Sequence, residues 1–136
     1  MIEQTSDKQK LLRRALQGNA LFSMTSGALI LAMNRTLVDF LGLPSSASLT
    51  SLGIGLLGYA GWLFWNASRE QIKIVDAWIA VALDMVWVAG SYTLLFAVRF
   101  SIGGKWAVAV VAELVLLFGV MQWLGLRRVS KSRRAV

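Results

Sequence analysis

Four apolar stretches, at roughly residues 15–33, 49–65, 75–98 and 106–126, hold nearly all the hydrophobic side chains, and most of the charge falls outside them. A chain patterned in this way has few solutions in a bilayer. Backbone polar groups inside hydrocarbon are satisfied only by helices or closed barrels. Membrane strands alternate apolar with polar residues, and these blocks do not alternate. A helix of ~20 apolar residues crosses ~30 Å of hydrocarbon, so each block is expected to be one helical span, the second barely long enough. The expected fold is all-α, a four-transmembrane-helix bundle forming one membrane domain over residues 1–136.

Composition agrees. Hydrophobic residues make up 57% of the chain and charged residues 15%, where a soluble domain carries about a quarter. With no cysteine and no histidine, structural disulfides, Cys/His zinc sites, His- or Cys-ligated haem and Cys–His nucleophiles are ruled out. No catalytic residue and no metal site is assigned, and no cofactor is specified. An enzyme acting on lipid would have to use Asp76, Ser68 and Arg69 near the headgroups, and their spacing fits no motif.

The lead-in to the first span alternates Lys8, Lys10, Arg13 and Arg14 with Leu11, Leu12 and Leu16, so an amphipathic helix capped by Ser6 or Asp7 is expected. Between the first two spans, residues 34–48 form a connection in which Leu37, Val38, Phe40, Leu41 and Leu43 read as part of a short helix in the membrane interface, ended before Pro44, the only proline. Of the 14 Lys and Arg, only Arg35, Arg99 and Lys105 fall on the side away from the termini. The other eleven flank the termini and the 66–73 turn, which puts both termini in the cytoplasm by the positive-inside rule. The net charge of +7 is therefore a topology signal, with anionic lipid near the basic tail at 127–136, and not a nucleic-acid footprint.

Within the spans, Ala15, Asn19, Ser23 and Gly27 recur every four residues, forming a small, polar face suited to packing another helix. Gly55, Gly58 and Gly61 form a second shallow strip. Trp62, Trp65, Trp78, Trp106 and Trp123 lie near span ends as interfacial anchors, whereas Trp87 is mid-span.

Two carboxylates stand near the middle of spans, Asp84 in the third and Glu113 in the fourth. A charge at that depth costs at least ~2.5–3.5 kcal/mol on insertion scales. Both are expected to face the bundle interior, at least one of them neutral at pH 7. From the helical rise their vertical offset is ~7 Å, which a bridging water could span. Hydroxyls and amides at Asn19, Ser23, Ser26, Ser91 and Tyr92 are the expected partners. The alternative is packing alone, in which protonated acids fix helix register. Interhelical bonds of this kind average ~0.6 kcal/mol, less than the insertion cost, which favours a functional role.

The segment Arg14-Ala15-Leu16, Asn19-Ala20-Leu21-Phe22-Ser23 and Ser26-Gly27, with Leu41-Gly42-Leu43-Pro44 further on, resembles small bacterial four-span membrane proteins of the DoxX-like kind. The resemblance covers the first third of the chain, implies a bacterial inner-membrane location, and brings no site residue with it. Size and span count are also similar to those of small multidrug resistance transporters, but their essential glutamate lies in the first helix, where this chain has Asn19. Two functions are thus expected to compete. One is binding or passage of a small solute or proton at Asp84 and Glu113, with Asn19, Ser23 and Trp87 lining the path. The other is an accessory or assembly subunit docking through the glycine strip. Either implies a homo-oligomer or a larger membrane complex.

Overall fold

The computed structural model describes residues 2–134, and side chains are described except for residues 2–6, 8 and 133. The described residues form five helices and no strand: α1 (Ile2–Ala32), α2 (Asn34–Leu41), α3 (Ala47–Ser68), α4 (Ile74–Ala97) and α5 (Ile102–Arg134). Three of them, α3, α4 and α5, are long and apolar enough to cross a membrane. The fourth stretch is less simple. α1 meets that standard only together with α2, from which it is bent by 91° across the break at Met33. The sharp turn sets α2 across the end of α1 as a separate short helix. α2 ends before Pro44 as expected, and the stop is made by Gly42: it takes φ 72°, and the amides of Gly42 and Leu43 bond back to Asp39 and Val38, a left-handed helix stop that glycine adopts without strain.

Two expected boundaries move. The lead-in and first span are one continuous helix already running through Ser6 and Asp7, so neither residue caps it. The basic tail continues α5 to Arg134 instead of trailing from it. With 31 and 33 residues, α1 and α5 are ~46 and ~50 Å long at 1.5 Å per residue, well beyond ~30 Å of hydrocarbon.

Close contacts give the register. α1 and α3 run antiparallel, with Gly27 against Gly53: a Cβ on Gly27 would come 2.9 Å from the Gly53 carbonyl. α1 and α5 are also antiparallel, with Gly125 against the Leu12 backbone and Gly18 against Phe118. α4 lies against α5, with Met85 over Gly119. The apolar core sits at the end carrying the termini, where Leu12, Leu16, Leu63, Ile72, Ala77, Ala80 and Leu126 close on one another. α1 also secures the loop between α3 and α4 there. The Arg13 guanidinium donates to the carbonyls of Ala67 and Glu70, and the Ile72 amide donates to Gln9 Oε1. At the other end, Ser101 bonds to the Phe40 and Leu41 carbonyls and fixes α2 to the start of α5.

Candidate functional site

One turn from the core, each of the four long helices sends one polar side chain to the same point. Relative to core residues Leu16, Leu63, Ala80 and Leu126, these are Asn19, Tyr59, Asp84 and Gln122, three or four residues along each helix. Asp84 is 2% exposed, Asn19 1% and Gln122 0%. Asn19 Nδ2 donates to both carboxylate oxygens, at 2.8 and 3.1 Å. The Tyr59 hydroxyl donates to Oδ1 at 2.9 Å and Gln122 Nε2 to Oδ2 at 2.9 Å. Ser23 extends the network, its hydroxyl lying 3.4 Å from Asn19 Oδ1. All three groups bonded to the carboxylate are neutral donors, the arrangement an acceptor-only ionised carboxylate requires. Among the described residues Asp84 has no ion-pair partner, and no cluster of three or more acidic, His or Cys side chains could hold a metal.

Of four buried side-chain atoms with no partner among the described residues, Gln9 Nε2 and Asn66 Oδ1 belong to residues away from the node, and Trp87 Nε1 and Gln122 Oε1 to residues on or beside it. Buried polar atoms are normally bonded, so this spare donor and spare acceptor, each on or beside the node, mark where the site has unused capacity. Trp87 lies one turn beyond Asp84 on α4.

Sequence and site agree on half of this. The face Ala15, Asn19, Ser23, Gly27 is buried throughout, and Gly27 packs against α3. Asp84, Asn19 and Ser23 are brought together.

Glu113 is not among them. Its side chain is exposed on the α4/α5 flank, where the Tyr92 hydroxyl donates to it. The cause is helical phase: Gln122 follows Glu113 by nine residues, and at ~100° per residue that places them on opposite sides of α5. The inward face of α5 is Ala112, Val115, Gly119, Gln122, Leu126 and Val129, a three-four repeat of small and apolar residues. Asp84 and Glu113 thus lie on different faces and are not brought together; of the partners expected for these acids, Asn19 meets Asp84 and Tyr92 meets Glu113. Gly55, Gly58 and Gly61 touch no other helix: a Cβ at any of them would meet nothing within 4 Å.

Gln122 and Tyr59 are the residues that sequence reasoning missed. Gln122 was visible as the one amide in the three-four repeat of α5. Tyr59 is the lone hydroxyl in the middle of α3, beside Gly58 in a strip expected to pack another helix.

No protein-family model matches this chain, and neither does any curated protein or solved structure. The site must be read on its own chemistry.

Of the remaining residues, Asp76 stands in the first turn of α4, 3.5 Å from Arg69, where a helix dipole favours an acid. Arg69 also lies over the Trp65 ring at 4.1 Å and Arg127 over Trp123 at 4.7 Å, pairs that suit an interfacial belt. Trp62 departs from the expected anchors. It is half-buried and stacked on Tyr59, with ring centroids 6.0 Å apart.

Proposed function

We propose that the protein is an integral membrane protein of the bacterial inner membrane whose bundle interior binds a proton or small polar solute at Asp84. In this reading α1 with α2, then α3, α4 and α5, supply four crossings, with both termini cytoplasmic. The convergence of Asn19, Tyr59 and Gln122 on one buried carboxylate carries the proposal. Membrane carboxylates are expensive and mark ion or proton pathways, and this one is held by uncharged groups that can rearrange. The Gln122 amide is suited to both charge states. Its Nε2 serves the carboxylate, and its unpartnered Oε1 becomes an acceptor for a carboxyl proton if the amide turns over. Trp87 Nε1 supplies a spare donor for a polar solute.

Proteoliposomes with an internal pH-sensitive dye test the idea. Under an imposed gradient, wild type should collapse the pH difference faster than empty vesicles. Asp84→Asn should behave as empty vesicles do, and Glu113→Gln as wild type. Equal rates for Asp84→Asn and wild type would refute proton passage at Asp84.

A second reading, an accessory subunit of a larger complex, draws on the open strip at Gly55, Gly58 and Gly61, where another helix could approach closely. A stoichiometric protein partner after mild solubilisation, lost in Gly58→Leu, would support it.

A further inference from the structure

Asp84 is buried and held by three donor groups of its own chain, whereas Glu113 is exposed with Tyr92 as its described partner, and the difference points outside the molecule. Glu113 lies on the exposed side of α5 between Val110, Leu114 and Leu117, all exposed and apolar. Its described hydrogen bond comes from the Tyr92 hydroxyl, itself on the outer side of α4. The nearest cations in sequence, Arg99 in the α4–α5 connection and Lys105 in the first turn of α5, stand at the far end, seven residues past Tyr92 and eight before Glu113. At 1.5 Å per residue those separations are ~10 and ~12 Å, beyond ion-pair reach. A lone mid-span carboxyl facing hydrocarbon has to be covered or neutralised.

We propose that a second copy of this chain covers it, the two copies packing α4/α5 face to α4/α5 face with their Glu113 carboxyls paired across a two-fold axis. Chemistry selects this occupant. A neutral carboxyl is at once donor and acceptor, so it is complementary to itself, which is what an isologous interface needs. Tyr92 remains on each Glu113 as a further donor. The neighbouring surface of α4 lets a helix come close, since Ala89 and Gly90 are exposed and a Cβ on Gly90 would meet nothing within 4 Å. The inference rests on the membrane reading above and is independent of what Asp84 does.

The absence of native cysteine makes site-specific cross-linking clean. Val110→Cys and Leu117→Cys flank Glu113 by three and four residues, and Ile54→Cys on the exposed side of α3 serves as control. Oxidised in native membranes, the first two should give an adduct at twice the 14.9 kDa chain mass, and Ile54→Cys should not. Adding Glu113→Leu to Val110→Cys should lower the yield about tenfold, and Glu113→Gln, also self-complementary, should largely preserve it. Leucine at this exposed position is compatible with lipid, so loss of the adduct would not report misfolding. Membrane-retained protein without the adduct, an adduct unaffected by Glu113→Leu, or an adduct of another mass would overturn the pairing. Release of the chain by alkaline washing would overturn the membrane reading and the pairing with it.

Discussion

Replacing Asp84 by leucine should separate two costs that are normally entangled. On the proposed membrane reading, inserting α4 becomes easier, since a mid-span aspartate costs at least ~2.5–3.5 kcal/mol. Assembling the four helices becomes harder. The substitution removes the common acceptor of Asn19 Nδ2, Gln122 Nε2 and the Tyr59 hydroxyl. Tyr59 has a fallback in the Ala80 carbonyl at 3.3 Å, whereas the two amide nitrogens have no other acceptor among the described residues. At ~0.6 kcal/mol per interhelical bond on average and ~1.7 at most, the loss is about 2 to 5 kcal/mol of assembly stability. Asp84→Asn should lose much less, about 1 kcal/mol or under. Its remaining oxygen still serves Tyr59 and Asn19, and its new NH2 group can donate to Gln122 Oε1, at present unpartnered. Reversible unfolding in mixed micelles, titrated with a denaturing detergent, reads both. Combining Asp84→Asn with Gln122→Leu should restore most of the leucine penalty, because the compensating acceptor is gone. If Asp84→Leu unfolds at the same detergent fraction as wild type, the node carries no assembly energy and the reasoning fails.

Other expectations follow from single contacts. Gly125→Ala should destabilise by about 1–3 kcal/mol, since its Cβ would come 2.8 Å from the Leu12 backbone nitrogen; Gly55→Ala should be silent in the same unfolding assay. Trp87→Phe should leave the unfolding midpoint unchanged or raise it, because the indole N–H has no hydrogen bond to lose. Arg13→Ala should speed amide exchange in the 69–73 loop by uncapping the Ala67 and Glu70 carbonyls, measurable by hydrogen–deuterium exchange. A cysteine at Ser45 should react with an impermeant maleimide added outside intact cells, and one at Glu70 only after permeabilisation; the reverse pattern would invert the topology.

The helical class and the approximate position of every long helix were legible because hydrophobic blocks and the charges between them report directly on helix ends. So was the buried face of α1, where small and polar residues at a strict four-residue spacing fall in line. What was not legible was phase. Trp106, Ala109 and Glu113 share a face of α5 as cleanly as Gly119, Gln122 and Leu126 do, and periodicity within one helix does not say which face meets its neighbours. In soluble helices polarity breaks that tie; here the outward faces of the long helices are as apolar as the core. Glycine was equally ambiguous. Gly27, Gly53 and Gly125 are sites of backbone contact, while Gly55, Gly58 and Gly61 stand open, and composition alone does not distinguish them. The helical tail was missed because a basic run was taken as an end, although Leu126 and Val129 carry the packing face of α5 through it.

The marginal apolarity of α1 has a consequence for how the chain is made. Asn19 leaves the ribosome 65 residues before Asp84, and Asp84 a further 38 before Gln122. During synthesis the first hairpin must therefore wait with its amide unsatisfied until α4 emerges, and the carboxylate in turn waits for α5. On the proposed membrane reading, a helix too polar to be a span without its bent extension is poorly suited to wait in hydrocarbon alone. Its final seating is then a late event, completed when the last helix arrives and the Leu12 backbone closes on Gly125. Chains arrested before α5 should be held loosely, open to the membrane's quality-control proteases along the very segment that was translated first.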